Sequence, residues 1–247
     1  MTAPIRPHPA LSKYYASLDE RPGYTQSLFD ATACHYERVD RLLSLGSGGW
    51  YRGRALRRSG LRPGMRVLDV AIGTGLVARA ALQVTEGRAD VVGLDVSQNM
   101  LAETQRTLRI PLVRAKAEQL PVAEASVDFV SMGYALRHIS DFAATFQEFL
   151  RVLRPGGILL LLEIARPVGP IMHGLTAWYL GRFIPSMCQW LMPRTSSAAL
   201  MRYFWTTIEH CVPPGVILDE LAANGFVGVD CDTDMGVFRA YRARKPG

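Results

Sequence analysis

The stretch Val67-Leu68-Asp69-Val70-Ala71-Ile72-Gly73-Thr74-Gly75 decides the fold of this chain. A short apolar run with one acid leads into a tight turn with two glycines, and a helix-like segment follows over 76–82. Further along, a second apolar run ends in Asp95. Glycine lets a backbone approach a ligand closely, and an acid at the end of the next strand can accept hydrogen bonds from both hydroxyls of a ribose. The pattern predicts half of a nucleotide-binding crevice for an adenosine-containing ligand.

Short apolar segments alternate with helix-like segments through the middle of the chain. Predicted strands cover 66–70, 90–95, 112–116, 127–132 and 158–163, and predicted helices between them cover 76–82, 98–108 and 142–153. Nearly unbroken apolar strands that alternate with helices are typical of a parallel sheet covered on both faces. Two more strands, 226–232 and 237–243, predict an antiparallel C-terminal hairpin at one edge. The sequence therefore predicts an α/β fold with a Rossmann-like, doubly wound, mostly parallel seven-stranded sheet.

Helical segments are predicted on both sides of this core. The chain divides into an N-terminal helical cap (1–64), the ligand-binding core (65–165), a helical lid insert (166–212), and a C-terminal helix with the closing hairpin (213–247). Apolar residues at helical spacing predict one continuous helix from Phe29 to Leu45, followed by a second helix over 50–58. Residues 1–24 hold several prolines and are expected to be loose or lightly helical.

Composition excludes several classes of protein. The four cysteines form no Cys-x-x-Cys pair, so neither a zinc site nor a disulfide framework is expected, and no metal is predicted. The first segment lacks the apolar core of a signal peptide, and no apolar run is long enough to span a bilayer, which predicts a cytoplasmic protein.

The net charge of +6 comes almost entirely from arginine. The densest basic group is interpreted as the solvated face of a helix, with a patch for an acidic partner or an anionic membrane as the alternative. Its members are Arg52, Arg54, Arg57, Arg58, Arg62 and Arg66.

Two kinds of cofactor match the glycine turn. The spacing Gly73-x-Gly75-x-x-Ala78 fits a dinucleotide fingerprint, which alone is weak evidence. Asp69 lies at the end of the first strand, where it would repel a pyrophosphate but attract the ammonium group of a sulfonium amino acid. The residues favour the sulfonium compound and leave a nicotinamide dinucleotide (NAD) as the alternative.

Five ordered motifs resemble those of the class I S-adenosylmethionine (SAM)-dependent methyltransferases. They are the glycine stretch at 67–75, Val92-Gly93-Leu94-Asp95-Val96-Ser97 with Met100-Leu101, Ala115-Lys116-Ala117-Glu118-Gln119-Leu120-Pro121, Val127-Asp128-Phe129-Val130, and Leu153-Arg154-Pro155-Gly156-Gly157. This resemblance implies SAM as the cofactor and methyl transfer as the activity.

The flanking segments resemble a narrower family, the C-methyltransferases of ubiquinone and menaquinone biosynthesis. The matching segments are Phe29-Asp30-x-x-Ala33-x-x-Tyr36, Gly133-Tyr134-Ala135-Leu136-Arg137-His138-Ile139-Ser140-Asp141, and Glu163-Ile164-Ala165-Arg166-Pro167. The chain departs from this family at several positions: Ile72 and Leu76 replace a glycine and an acid of the glycine turn, Glu37 replaces an aspartate after Tyr36, His138 replaces an asparagine, and Gly133 stands where the family has a serine that contacts the cofactor. These departures indicate a divergent member.

The resemblance assigns cofactor binding to residues at the carboxyl ends of the strands. Gly73, Thr74 and Gly75 would cradle the methionine part, Asp95 would hold the ribose, and Met100 would pack on the adenine. The predicted set is Asp69, Ala71, Gly73, Thr74, Gly75, Asp95, Val96, Met100, Lys116, Ala117, Glu118, Gly133 and Tyr134.

Three residues are predicted to carry the chemistry. Methyl transfer is an in-line displacement in which the protein chiefly orients the nucleophile and excludes water. A carbon nucleophile needs a deprotonated ring hydroxyl, whose charge Arg137 would stabilise and whose proton His138 would accept. Tyr36 would close the pocket and favour the sulfonium by cation–π attraction. The alternatives are a salt bridge between Arg137 and Asp141, a solvent-facing loop position for His138 and a core position for Tyr36.

Aromatic residues and methionines are concentrated between Met172 and Trp205. Methionine adapts to irregular shapes, so this segment predicts a lid over a small apolar aromatic substrate of the phenol or quinone type. A contact with the inner face of the membrane, which a long-tailed quinone would require, and a homodimer interface stay open as alternatives.

The predicted function is SAM-dependent C-methylation of such a ring. The alternatives are O- or N-methylation of a small molecule, an NAD-dependent oxidoreductase and a non-catalytic SAM-binding partner protein. No nucleic acid is expected as a partner, because the Asx-Pro-Pro-aromatic motif is missing after the fourth strand, which reads Met132-Gly133-Tyr134, and no RNA-binding module is evident.

Overall fold

A seven-stranded sheet organises the chain, which a computed structural model describes from residue 5 to residue 247. The strands are β1 (Arg66–Val70), β2 (Asp90–Asp95), β3 (Leu112–Arg114), β4 (Val127–Gly133), β5 (Leu153–Ile164), β6 (Val227–Asp234) and β7 (Phe238–Arg244). Their order is β3-β2-β1-β4-β5-β7-β6, and β7 runs antiparallel to both of its neighbours. The predicted mostly parallel sheet with an antiparallel C-terminal hairpin is confirmed. The prediction for residues 1–4 lies outside the described residues.

Ten α-helices are present in this described part of the chain. They are α1 (Arg21–Thr32), α2 (Tyr36–Ser44), α3 (Gly48–Arg58), α4 (Leu76–Val84), α5 (Gln98–Thr107), α6 (Phe142–Val152), α7 (Pro170–Trp178), α8 (Ile184–Leu191), α9 (Ser197–His210) and α10 (Pro214–Ala223). A π-helical turn, Tyr179–Phe183, joins α7 to α8, and a 3₁₀ turn, Leu136–His138, follows β4. None of the helices between residues 5 and 247 is long and apolar enough to cross a membrane.

Each face of the sheet is covered by its own apolar core. Alternate residues of a strand point to opposite faces, so Leu159 and Leu161 of β5 join the core under α6 and α10, whereas Leu160 and Leu162 join the core under α3 and α4. After β1 the chain adds β2 on one side of β1, and it later adds β4 on the other side of β1. A crevice forms where the strand order reverses, at the carboxyl ends of β1 and β4.

The predicted continuous helix from Phe29 to Leu45 is wrong. Helix α1 ends at Thr32, a 3₁₀ turn covers Ala33–His35, and α2 starts at Tyr36. The Thr32 hydroxyl donates to the carbonyls of Leu28 and Phe29, and the backbone φ of Thr32 is −111°, well away from the value of about −63° of a regular α-helix. A threonine side chain that binds the preceding turn in this way often bends a helix.

A third apolar core joins the N-terminal helices to the predicted lid insert. It contains Leu28 of α1 and Val39 of α2 together with Ile184 of α8 and Leu200 of α9, and Ile164 at the end of β5 packs against it. The insert is helical as predicted, and it packs on the N-terminal helices beside the end of a central strand.

A buried ion pair links the 3₁₀ turn after β4 to the end of β5. Arg137 is fully buried, and its Nη1 lies 2.6 Å from Oε2 of Glu163. Its Nε donates to the hydroxyl of Thr207 in α9 at 3.3 Å. Burial raises the pKa of Glu163 to about 7, against the opposing effect of Arg137. The structure pairs Arg137 with Glu163 rather than with Asp141, whose carboxylate instead caps α6.

We expect Arg137→Ala to lower the free energy of unfolding by about 3–5 kcal/mol, because it leaves Glu163 buried without its cation. Since the pKa of Glu163 is already raised, the neutral form is favoured in the fold, and stability is lost as pH rises through that pKa. Urea unfolding should therefore show a larger loss at pH 8 than at pH 5.5.

The control is the double variant Arg137→Met with Glu163→Gln, which removes both charges and keeps most of the volume. We expect it to recover most of the lost stability. Equal losses in the single and double variants would contradict an energetic role for the pair.

Candidate functional site

Two cavities meet at the carboxyl end of the sheet. The smaller, of about 180 Å³, lies beside the ends of β1, β2 and β4. The larger, of about 680 Å³, lies between α2 and α3 on one side and α7 and α9 on the other. Tyr36 and Tyr134 line both cavities, and no other described residue does. The two tyrosines therefore mark the junction at which a ligand in one cavity can reach a ligand in the other.

The smaller cavity brings together most of the predicted cofactor residues. Those that line it are Ala71, Gly73, Asp95, Val96, Met100, Lys116, Ala117, Glu118, Gly133 and Tyr134. Of the predicted catalytic residues, Tyr36 and His138 also line it, whereas Arg137 lines neither cavity. Asp69, Thr74 and Gly75 lie behind the cavity wall.

The glycine turn is held open by its backbone conformation. Gly73 has a φ of +57°, and a Cβ built there would meet no atom within 4 Å, so its backbone faces free space. Gly75 has a φ of +84°, and a Cβ there would lie 2.7 Å from the side chain of Leu108. Gly73 therefore leaves room for a ligand, whereas Gly75 is needed for close packing of α4 against the end of α5.

Asp95 ties this turn to the end of β2. One carboxylate oxygen accepts from the backbone amide of Gly73 and the other from the amide of Ser97, both at 2.8 Å. Burial raises the pKa of Asp95, while these amides oppose the shift. Each carboxylate oxygen has further acceptor capacity, which suits a pair of adjacent hydroxyls such as those of a ribose.

Asp69 presents a buried acceptor without a partner. Its Oδ1 accepts from the Ser131 hydroxyl at 2.7 Å, and its Oδ2 has no hydrogen-bond partner among the described residues. Burial raises the pKa of Asp69 to about 7. A free carboxylate oxygen beneath an open glycine turn fits a ligand that carries an ammonium group there, as SAM does.

Gly133 closes one side of the smaller cavity. A Cβ at this position would lie 2.6 Å from Cγ2 of Val77, the second residue of α4. Where the resembled family has a cofactor-contacting serine, the valine of this chain occupies the space that such a side chain needs.

His138 packs among aromatic rings at the wall of the smaller cavity. Its ring stacks on Tyr203 at 5.6 Å between centroids and meets Phe29 edge-on at 5.3 Å. Neither ring nitrogen has a hydrogen-bond partner among the described residues. Burial, with a further contribution from Arg137, holds the pKa of His138 well below its usual value. The imidazole is neutral at pH 7, and the solvent-facing alternative does not describe its position.

The interpretation of the basic group on α3 as a solvated face is wrong for Arg52. This side chain is buried, forms a salt bridge with Asp40 of α2 and lines the larger cavity. By contrast, Arg58 is half exposed and lies 3.9 Å from Asp232. The sequence pattern did not single out Asp40 or Arg52 as cavity residues. Asp40 lies on α2, the helix before α3, and could have indicated a partner for one of the arginines of α3.

A comparison with protein families matches residues 17–236 to the ubiE/COQ5 methyltransferase family. The ubiquinone/menaquinone biosynthesis C-methyltransferase UbiE of Syntrophotalea carbinolica is 36% identical, over 84% of this chain and 88% of that protein. The demethylmenaquinone methyltransferase of Corynebacterium efficiens is 33% identical, over 94% of this chain and 98% of that protein.

Solved structures share the fold at lower identity. A SAM-dependent methyltransferase of Thermotoga maritima superimposes with a TM-score of 0.63 at 17% identity, covering 89% of this chain and 99% of that one. A phosphoethanolamine N-methyltransferase of Haemonchus contortus, solved with S-adenosylhomocysteine, gives 0.60 at 18% identity over 94% of this chain and 60% of that one. The family match, the relatives and the sheet agree with the resemblance seen in the sequence: the chain belongs to the ubiE/COQ5 family of SAM-dependent methyltransferases.

Proposed function

We propose that this enzyme transfers the methyl group of SAM to a ring carbon of an apolar hydroxylated aromatic compound of the reduced-quinone type. The observation that carries the proposal is the junction of the two cavities at Tyr36 and Tyr134. One cavity has an acid and a glycine turn suited to SAM, and the other is large and mostly apolar. One relative is a ubiquinone/menaquinone biosynthesis C-methyltransferase and the other a demethylmenaquinone methyltransferase, which supports this choice of acceptor.

In this proposal the smaller cavity holds SAM through charges and backbone shape. Asp69 attracts the ammonium group from behind the glycine turn, Asp95 accepts from the ribose hydroxyls, and the segment Lys116–Glu118 borders the adenine with Met100. When bound, SAM supplies a methyl group activated by positively charged sulfur. Tyr36 lies at the junction, where an aromatic face can favour a cation.

The chain's own contribution to catalysis is orientation and exclusion of water. The apolar lining of the larger cavity orients the ring, and Tyr36 and Tyr134 border the junction at which the ring carbon reaches the methyl group. Burial and Arg137 hold the pKa of His138 well below its usual value, which disfavours its protonated form, so we assign His138 to the wall of the smaller cavity rather than to proton transfer. Arg137 lines neither cavity, so we assign it to holding the turn that carries His138 rather than to contact with the acceptor.

A direct assay tests this function. Purified enzyme, labelled SAM and a reduced 1,4-naphthoquinone with an apolar tail should give a product with a new carbon–methyl bond, identified by mass spectrometry and NMR. Titration with NAD serves as the control and should show no binding.

Two results would contradict the proposal. An O- or N-methyl product would move the acceptor to another class, and tight binding of S-adenosylhomocysteine without turnover on any hydroxylated ring would favour a non-catalytic partner protein.

We expect the affinity for S-adenosylhomocysteine to fall roughly tenfold from pH 8 to pH 6, because protonation of Asp69, with its pKa of about 7, removes the charge that binds the ammonium group. Calorimetric titration measures the affinity.

The same raised pKa affects the stability of the ligand-free fold, because it makes ionisation of Asp69 costly there. The contribution of Asp69 to the free energy of unfolding is present below about pH 4 and is lost as pH rises toward 7.

Two matched comparisons test this assignment: the binding of S-adenosylhomocysteine by Asp69→Asn, and the binding of adenosine, which lacks the amino acid part, by the natural enzyme. Both should remove the dependence on pH. Persistence of the slope in Asp69→Asn would assign it to another group.

The rim of the larger cavity is apolar and open, which supports a membrane contact. Leu45, Trp50, Met172, Leu175 and Met235 line the cavity and are between 45% and 85% exposed. Beside them, α7 and α8 expose further large apolar residues: Ile171, Trp178 and Trp190. Soluble proteins rarely expose such continuous apolar surface unless it binds a partner or a membrane.

The charge of this surface matches anionic lipid. Residues 164–208 contain four arginines and no aspartate or glutamate, and all four arginines (Arg166, Arg182, Arg194 and Arg202) are exposed. Arginines around an apolar patch attract an anionic leaflet, while the apolar side chains enter its interface. We propose that α7 and α8 dock on anionic lipid and that a long-tailed acceptor enters the larger cavity from there.

Sedimentation with lipid vesicles tests this contact. We expect binding to vesicles of phosphatidylcholine with phosphatidylglycerol, weaker binding to phosphatidylcholine alone, and about tenfold weaker binding after Trp178→Gln with Trp190→Gln, which removes apolar area outside the cavity wall.

The control is Val227→Gln, because Val227 is 49% exposed on β6, away from α7 and α8. If the double tryptophan variant bound vesicles as tightly as the natural enzyme, α7 and α8 would not be the lipid-binding surface. If the natural enzyme formed a dimer in lipid-free solution and the tryptophan substitutions abolished that dimer, the apolar surface would be an interface with a second copy of the chain instead.

A further inference from the structure

A buried charged pair lies in the mostly apolar lining of the larger cavity. Arg52 of α3 donates to a carboxylate oxygen of Asp40 in α2. Arg52 is 3% exposed, and both residues line the cavity. Burying an ion pair in apolar surroundings costs desolvation energy, so the position of this pair calls for an explanation beyond fold stability.

The guanidinium of Arg52 has unused donors. Asp40 takes one N–H at Nη2, and Nε is buried without a hydrogen-bond partner among the described residues. A Cβ at Gly48 would lie 2.8 Å from Nη1, so this glycine makes room for the group. Nε is enclosed by protein, so the donor left for a ligand oxygen is Nη1, which has no hydrogen-bond partner among the described residues and lies beside Gly48 in the cavity lining.

Arg52 also lies next to the junction of the two cavities. Its Cζ is 5.5 Å from the ring centroid of Tyr134, and Tyr134 lines both cavities. Tyr134 has a φ of +59°, an uncommon conformation for a bulky residue that fixes its ring at this place. One aromatic ring therefore separates the guanidinium from the proposed position of SAM.

The other ionisable groups of the larger cavity do not compete for this role. They are Tyr36, Asp40, Tyr51, Arg54, Tyr134, Tyr179 and Asp234. Burial raises the pKa of each of these tyrosines above its usual value, so they are neutral at pH 7. Arg54 lies 3.6 Å from Asp234 and is about one-third exposed, which places that cation near solvent.

We propose that Arg52, anchored by Asp40 and Tyr134, binds the ring oxyanion of the acceptor in the larger cavity. This inference rests on the proposed function, because it needs a hydroxylated ring as the acceptor. It assigns to Arg52 the stabilisation of the phenolate that sequence analysis assigned to Arg137.

Methyl transfer to a phenolate bound by Arg52 needs only SAM as the methyl donor and water as the proton acceptor. The acceptor releases its hydroxyl proton to solvent and binds as the phenolate opposite Arg52. The ring carbon forms a bond to the methyl carbon as the bond from that carbon to sulfur breaks, and the electron pair goes to sulfur. The proton on the methylated ring carbon then passes to water, and the ring regains its aromatic electrons.

The test follows the ionisation of a bound chromophore. We use 4-nitro-1-naphthol, whose phenolate absorbs visible light, with the S-adenosylhomocysteine-loaded enzyme. The bound probe should ionise at a lower pH than the free probe, and Arg52→Gln should raise its apparent pKa by about one unit or more, since it removes the nearest cation. In turnover with the naphthoquinone acceptor, kcat should fall about 10²-fold, while affinity for S-adenosylhomocysteine is unchanged.

Arg58→Gln is the matched control, because Arg58 lies on the same helix, half exposed and outside the cavity lining. It should leave the ionisation of the bound probe unchanged. Arg52→Lys keeps the charge but loses the planar fork, so the shift in ionisation should persist while kcat falls. This variant also carries the test if Arg52→Gln does not fold.

The outcomes separate this inference from the proposed function. An unchanged ionisation of the bound probe in Arg52→Gln would overturn the role of Arg52 alone, as would a lysine variant equal to the natural enzyme in both measurements. Failure of the natural enzyme to bind the probe or any hydroxylated ring would overturn the aromatic acceptor itself.

Discussion

The site depends on the hydrogen bond between the Gly73 amide and the Asp95 carboxylate. It joins the loop after β1 to the end of β2, and the second carboxylate oxygen is fixed by the amide of Ser97. The hydroxyl of Thr104 in α5 donates to the carbonyl of Gly73 at 2.6 Å, so both backbone groups of that glycine are held. Because these contacts come from the fold itself, the turn is in place before any ligand arrives. Such preorganisation lowers the cost of binding.

The backbone also fixes the residues at the junction of the cavities. Tyr134 follows directly after β4, and its amide donates to the carbonyl of Leu162 in β5 at 2.7 Å. That bond fixes a bulky residue in a left-handed conformation at the edge of the sheet. On the opposite side, the break between α1 and α2 brings Tyr36 to the start of a helix that faces both cavities. Two irregular points of the backbone therefore define the junction of the two cavities.

The sheet could be predicted from the sequence because its signals are local. Apolar runs, glycine turns and acids at strand ends report on a few neighbouring residues, and the structure brings three of the residues predicted from them, Gly73, Asp95 and Met100, to one cavity. The break after Thr32 could not be predicted, since apolar spacing continues through it and only a side-chain hydrogen bond marks it. Long-range pairing was likewise hidden: Arg137 meets an acid 26 residues away.

Burial of Arg52 was missed for a related reason. Arginine is usually exposed, and α3 carries several others that are. What buries this one is the fold of α2 over α3, which places Asp40 against it and leaves space at Gly48. Periodicity within a single helix gives no information on which charged residue a neighbouring helix will cover.

The contact between Gly133 and Val77 restricts how this enzyme can diverge. A methyl group added at Gly133 would lie 2.6 Å from Cγ2 of the valine, so a larger side chain there requires Val77 to shift or to be replaced by a smaller residue. The two positions are therefore coupled: the effect of a larger side chain at position 133 depends on the size of the residue at position 77.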